Sequence, residues 1–307
     1  MAKFAGSITG VSPNGQIVTT FDPVNGPTRV WDLNGRELAR LEGHFQAFCH
    51  NGQQVLTHDG TNGFRVWSLA GREIAQFKGS FFPPPVVSQN GKYLLTSNLN
   101  NTSRLSDCSG KQLAVVPGGY SFRQISSIAV EWSAFSPNGT KVLTYKDGIS
   151  YMWNLSGKEL ARFQGQASIF SPDGQRVATS GVGTYPSSLW NLYGKKLAQF
   201  QGFAPIFSPD GTKILTLSGS GNASLWNLAG NQLAEFQGTY HSSIFRFSPD
   251  GKWVFTYNYD DAVLYLYPVE GLDELLNRSC NWLRDHLINS PDASESDRQM
   301  CGITSKK

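Results

Sequence analysis

The sequence predicts an all-β fold in which seven similar four-stranded sheets stack radially, a seven-bladed β-propeller, followed by a short C-terminal α-helical tail. Three observations carry the prediction. A turn motif recurs seven times at near-constant spacing, an aromatic residue follows almost every turn at a fixed distance, and the last repeat lacks a final strand that the first residues of the chain supply.

The turn is Asn-Gly or Asp-Gly, at Asn14, Asn51, Asn90, Asn138, Asp173, Asp210 and Asp250, with spacings of 37, 39, 48, 35, 37 and 40 residues. In its fullest form it reads Ser171-Pro172-Asp173-Gly174. Proline presets φ, aspartate can bond the local backbone and glycine tolerates the closing geometry, so the motif ends a first strand, a. Strand b follows, rich in β-branched and aromatic residues and carrying a threonine in every copy: Thr20, Thr57, Thr96, Thr144, Thr179, Thr216 and Thr256. Strand c ends 15 to 17 residues after the turn at Trp31, Trp67, Ser106, Trp153, Trp190, Trp226 and Tyr267, so only the third copy has lost the aromatic. Glycines at 35, 71, 110, 157, 194 and 230 then turn the chain into strand d, of the form Leu197-Ala198-Gln199-Phe200-Gln201-Gly202. Four such strands cannot bury both faces of their own sheet, so neighbouring units must stack. Radial closure leaves the fewest free edges.

The seventh repeat supplies strands a to c and then changes character at Glu270-Gly271-Leu272, which looks helical. At the other end, Ala2-Lys3-Phe4-Ala5-Gly6 matches Ala198 to Gly202, and Phe4 precedes Asn14 by the ten residues that separate Phe200 from Asp210. The expectation is that an N-terminal strand completes blade seven by pairing with Ala262 to Pro268. The domains are then residues 1–270, the propeller, and 271–307, an amphipathic helix and tail.

Composition agrees. Hydrophobic residues make up 39% and aromatics 12% of the 307 residues, and 32 glycines suit many tight turns. A net charge of +3 makes nucleic acid an improbable partner, because such partners leave a concentrated basic footprint. No segment has the apolar length of a signal peptide or a membrane span, so the expected location is cytoplasmic and the expected state a monomeric propeller. Cys49, Cys108, Cys280 and Cys301 follow no metal-ligand spacing and fit a reducing compartment; Cys280 and Cys301 could meet in a helical hairpin, where free thiols are favoured and a disulfide is the alternative.

In these residues the chain resembles the WD-repeat (WD40) propellers, especially the cyanobacterial type with units Ser-Pro-Asp-Gly and Trp-Asn-Leu-x-Gly-Lys-x-Leu-Ala-x-Phe-x-Gly and a C-terminal helical extension. The resemblance covers nearly the whole chain and implies a non-catalytic scaffold for signalling or assembly. It also implies a hydrogen-bonded tetrad of His, Ser/Thr, Asp and Trp within a blade, for which His44, Thr57, Asp59 and Trp67 are the candidates. Only Gly43-His44 keeps the Gly-His pair and only Trp31-Asp32 the Trp-Asp pair, so most blades must rely on apolar packing. The structural residues expected on these grounds are Phe4, Trp31, Trp67, Trp153, Trp190, Trp226, Tyr267, His44, Thr57 and Asp59.

In the tail, Leu272, Leu275, Leu276, Ser279, Leu283 and Leu287 share one helical face. That stripe predicts a helix packed on the propeller; a docking helix for a partner is the alternative. Asn289-Ser290-Pro291 should stop it, and Ser294 with Asp297 could cap a second turn ending near Cys301.

Catalytic patterns are scarce. His44, His50 and His58 cluster in the second repeat without a nucleophile elbow or metal-ligand spacing, so no enzyme, metal or cofactor is predicted. Binding is the stronger expectation, on the rim that carries the d-to-a and b-to-c loops. Residues 106–138 hold an insertion there, and the loops offer Phe81, Phe82, Tyr120, Phe122, Arg123, Tyr185, Tyr240 and Tyr259, the residue types that dominate interface energetics. These side chains dock a protein or peptide, or else fold inward and seal the loops. A small-ligand or hydrolytic site at the central channel is the alternative from another class. The opposite rim carries Arg36, Arg72, Lys111, Lys158 and Lys195, expected to be a solvated repeat surface.

Overall fold

The structure, a computed structural model, describes residues 2–21, 26–60, 63–77, 85–98, 100–119, 134–181, 186–237, 245–258 and 263–303. Blade 1 consists of β1 (Ser7–Val11), β2 (Ile17–Phe21), β3 (Thr28–Asp32) and β4 (Glu37–Leu41); blade 2 of β5 (His44–Cys49), β6 (Gln54–His58), β7 (Phe64–Ser68) and β8 (Glu73–Phe77). Blade 3 has β9 (Val86–Val87), β10 (Tyr93–Ser97), β11 (Thr102–Asp107) and β12 (Gln112–Pro117); blade 4 has β13 (Ala134–Phe135), β14 (Lys141–Lys146), β15 (Ile149–Asn154) and β16 (Glu159–Gln164). Blade 5 is β17 (Gln166–Phe170), β18 (Arg176–Ser180), β19 (Ser187–Asn191) and β20 (Lys196–Phe200), and blade 6 is β21 (Phe203–Phe207), β22 (Lys213–Leu217), β23 (Ala223–Asn227) and β24 (Gln232–Phe236). Blade 7 has three strands, β25 (Phe245–Phe247), β26 (Trp253–Asn258) and β27 (Val263–Pro268). Every sheet is an antiparallel meander, and the first strands of blades 1 to 6 touch in sequence, which places them toward a common axis.

Each hydrophobic cluster belongs to two adjacent blades. Leu143, Met152 and Phe163 of blade 4 meet Val177 and Trp190 of blade 5, and Leu189 and Phe200 of blade 5 meet Ile214 and Trp226 of blade 6. The same junction repeats from blades 1 and 2 through to blades 6 and 7. A strand-d phenylalanine meets the next blade's strand-c aromatic: Phe163 to Trp190 and Phe200 to Trp226 at 6.0 Å, Phe236 to Tyr267 at 5.1 Å. Burying a ring of this size contributes roughly 1.5–3 kcal/mol, so the aromatic pair is the main apolar joint at each junction.

A hydrogen-bond relay runs through the same joints. Trp190 Nε1 donates to Thr179 Oγ1 at 2.9 Å, and Thr179 donates to the carbonyl of Gln164, the last residue of the preceding blade, at 2.8 Å. Trp31, Thr20 and Ala5; Trp67, Thr57 and Glu42; Trp153, Thr144 and Pro117; and Trp226, Thr216 and Gln201 repeat it with every distance between 2.6 and 2.8 Å. The recurrent threonine therefore links its own tryptophan to the neighbouring blade. This relay replaces the predicted tetrad. His44 lies with its ring 4.4 Å from that of Phe21, and Asp59 faces the Arg65 guanidinium at 3.6 Å, so neither joins Trp67. The Thr57 hydroxyl, which accepts from the Trp67 indole, spends its own proton on the Glu42 carbonyl.

The expected closing ladder is corrected in one respect. β27 pairs with β26 alone, and residues 2–5 form no strand. The segment nevertheless makes the contacts of a strand d toward blade 1. Phe4 meets Trp31 edge to face at 6.1 Å, Ala5 accepts from Thr20, and Ala2 and Lys3 lie against Gly35 as Ala39 lies against Gly71 and Ala75 against Gly110. Gly6, at φ 96°, sits where a Cβ would come within 2.8 Å of the Phe21 carbonyl, the situation of Gly165 (φ 113°) beneath Ser180. What is missing is a clamp within blade 7. In blades 1, 3, 4 and 5 a hydroxyl near the start of strand c, on Thr28, Ser103, Ser150 or Ser187, donates to the glycine carbonyl that ends strand d, at 2.7–2.9 Å. Blade 7 has Leu264 at that position, and Val263, Leu264, Tyr265 and Leu266 all stand exposed.

The tail forms α1 (Leu272–Asn289) and α2 (Glu295–Met300). As expected, α1 ends before Pro291 and Ser294 Oγ caps α2, accepting from the Asp297 amide at 3.1 Å. The expectation that α1 packs on the propeller is not met. Leu275, Trp282, Leu283 and Ile288 are exposed, Trp282 by 84%, and among the helix's described side chains only Leu287 is buried. The partner of α1 is α2, whose Arg298 donates to the carbonyls of Leu287 and Ser290 at 2.8 and 2.9 Å, so one edge of the stripe is covered and the rest is not.

Both cysteine pairs are bonded, Cys49 to Cys108 and Cys280 to Cys301. Cys280–Cys301 is the hairpin alternative over the favoured free thiols, whereas Cys49–Cys108 departs from the reduced thiols expected there. Cys49 takes the place of the turn serine in blade 2 and Cys108 stands two residues after Ser106 in blade 3, so stacking brings together residues 59 apart in sequence.

Candidate interaction rim

An antiparallel meander places its b-to-c and d-to-a connections at one end and its a-to-b and c-to-d turns at the other. The turn end is chemically self-contained. In blades 4, 5 and 6 the residue after the tryptophan, Asn154, Asn191 or Asn227, accepts the backbone amides two and four residues on at 2.9–3.0 Å. Asp32 and Asp107 do the same in blades 1 and 3. That requirement explains the recurring Trp-Asn pair. The cations that follow point outward; Arg36 is 77% exposed and lies 3.5 Å from Asp32. This is the solvated surface the repeats predict.

The a-to-b turns are equally closed. Ser208 Oγ donates to Asp210 at 2.6 Å and accepts the Lys213 amide at 2.9 Å. The Ser208 hydroxyl, and after it the Thr212 amide, hold the Asp210 carboxyl down at about 2. Hydroxyls of Ser171 and Ser248 likewise lower Asp173 and Asp250. A carboxylate whose folded value is depressed contributes stability that is complete above its unfolded value near 4 and is lost as pH falls through the folded one. Stability should therefore decline between about pH 4 and pH 2. The triple variant Asp173→Asn, Asp210→Asn, Asp250→Asn keeps the acceptor that Asn14, Asn90 and Asn138 already provide, and should show a flatter acid limb in urea titrations. An unchanged acid limb would show that these turns do not couple to folding.

The loop end differs. Phe81, Phe82, Tyr120, Phe122, Arg123, Tyr185, Tyr240 and Tyr259 all lie outside the described residues. Among the described residues, the loop ends of blades 1 and 2 are aromatic and charged. His58 stacks on Phe64 at 4.7 Å beside the Phe21 and His44 pair. Arg65 faces Glu42, Asp59 and Glu73 and lies 5.9 Å from the Trp67 ring. Sequence reasoning missed this cluster because register, not spacing, assembles it: Thr57 pairs with Arg65, and Glu42 bonds Thr57 through its carbonyl. His44 and His58 act here as flat rings, and among the described residues no group of histidine, cysteine and acidic side chains could hold a metal ion. No described helix is long and apolar enough to cross a membrane.

Seven meander sheets with a strand-c tryptophan and a strand-b threonine at most junctions form a seven-bladed β-propeller of the fold seen in WD40 domains. Among solved structures, the chain is similar to the C-terminal WD40 domain of Sif2, with a TM-score of 0.62 and 17% sequence identity, over 86% of this chain and 82% of that one. No family model and no curated protein matches the sequence.

Proposed function

We propose that the propeller is a non-catalytic scaffold that docks a protein or peptide on its loop rim. One observation carries the reading: the two ends of the blades differ in chemistry. At the turn end, amides and carboxylates are consumed by bonds within the turns. At the loop end the sequence concentrates Phe81, Phe82, Tyr120, Phe122 and Arg123 in two long connections. Aromatic and arginine side chains supply most of the energy at interfaces, whereas exposed single lysines supply little.

The test is recovery of partner from an extract of the native cell on immobilised wild type, Phe82→Ala, Phe122→Ala and Lys158→Ala. The proposal expects recovery to fall about tenfold or more for either phenylalanine variant, the cost of a hot-spot residue, and to hold for Lys158→Ala. Equal recovery on all four removes the aromatic rim from consideration; loss on Lys158→Ala alone moves the site to the basic turn rim.

A further inference from the structure

We propose that Cys280–Cys301 is a thiol–disulfide exchange site for a dithiol reductant, and that opening it releases α2 from α1 while Cys49–Cys108 stays bonded.

The two bonds differ in environment. Cys49 and Cys108 are fully buried between blades 2 and 3, among Leu56, Val66 and Leu94. Cys280 and Cys301 are only half-buried, on a hairpin whose neighbouring side chains face water. Thiol–disulfide exchange requires a thiolate to approach a sulfur along the bond axis, so access decides which bond opens first.

The hairpin also has little else to hold it. α2 has six residues, too short to persist as an isolated helix. Beside the disulfide, Arg298 bonds the carbonyl of Leu287 in α1 and that of Ser290 in the turn that follows it. Its own cap, Ser294 to Asp297, is local and does not tie it to α1.

The chemistry balances with one dithiol. Its first thiolate attacks one of the two sulfurs; the S–S bond breaks and the other cysteine leaves as a thiolate and takes a proton. The second thiol of the reductant then attacks the mixed disulfide, freeing the remaining cysteine and closing a disulfide in the reductant, which has lost two electrons. Once α2 departs, the bond from Arg298 to the Leu287 carbonyl is lost, which frees the C-terminal end of α1 beside the exposed Leu283 and Ile288.

The experiment uses the oxidised full-length chain, titrated with dithiothreitol under native conditions. Iodoacetamide trapping and peptide mass spectrometry follow each cysteine, and hydrogen exchange follows residues 272–303. Cys280 and Cys301 should be trapped at least tenfold faster than Cys49 and Cys108, and amides of 295–301 should exchange at least tenfold faster once that bond is open, with the blades unaffected. The double variant Cys280→Ser, Cys301→Ser should show the same fast exchange without reductant. Equal opening rates for the two pairs, a protected α2 after reduction, or a protected α2 in the double variant would each overturn the proposal.

Discussion

A chain lacking residues 1–6 is expected to melt roughly 5 °C or more below the full chain. The segment places Phe4 on Trp31 and the Ala5 carbonyl on Thr20, the contacts that Phe163 and Gln164 make at the junction of blades 4 and 5. Losing a half-buried ring removes about 1.5 kcal/mol of apolar burial, and its edge-to-face geometry adds about 0.5–1.5 kcal/mol. The lost bond to Thr20 costs about 1 kcal/mol more. Near 3 kcal/mol in total corresponds to several degrees for a domain of this size. Phe4→Ala should reproduce about two-thirds of the loss, and Lys3→Ala, whose side chain is exposed, almost none. A deletion variant that melts with the parent would show that the segment carries no part of the ring.

Substituting the relay threonines should separate two kinds of blade. Thr216→Val keeps the shape of the side chain but leaves the Trp226 indole N–H and the Gln201 carbonyl buried without their partner. An unmet buried group costs about 1–3 kcal/mol, so the variant is expected to lose roughly 2–3 kcal/mol of unfolding free energy and to exchange its Trp226 indole proton rapidly. Thr256→Val in blade 7 is the internal control. That hydroxyl is buried and has no partner, because Tyr267 stands where the tryptophan would be and bonds the Gln237 carbonyl instead, at 3.1 Å. Removing it should be neutral or mildly stabilising. Equal losses at both positions would mean the threonines matter only for their shape.

Blade number, strand order and the strand-c tryptophans were legible because turn chemistry and aromatic spacing are local properties of each repeat. The recurring threonine was visible as a pattern, but its role was not: its acceptor belongs to the previous repeat, and only stacking places the Gln164 carbonyl beside Thr179. The same reason hid Cys49–Cys108, although a cysteine in a serine's repeat position, three residues before Gly52, was a readable departure. The tetrad failed because it was carried over from a resemblance in which this chain keeps few of the required residues. Of the expected N-terminal strand, the contacts with blade 1 are written in Ala2, Phe4 and Gly6; the expected pairing with β27 does not form, and Leu264 there cannot clamp a glycine carbonyl. Helical periodicity revealed α1 and its stripe but could not say what covers it, since an apolar face states a need for burial and not a partner.

The central claim is that blades 1, 2, 4, 5 and 6 are each fastened to the segment before them by a tryptophan, a threonine and a backbone carbonyl. Hydrogen exchange of the indole protons, resolved by nitrogen-edited NMR, tests this most directly. The account predicts that Trp31, Trp67, Trp153, Trp190 and Trp226 exchange slowly and that exposed Trp282 exchanges at the rate of a free indole. Rapid exchange at the five relay tryptophans would contradict it.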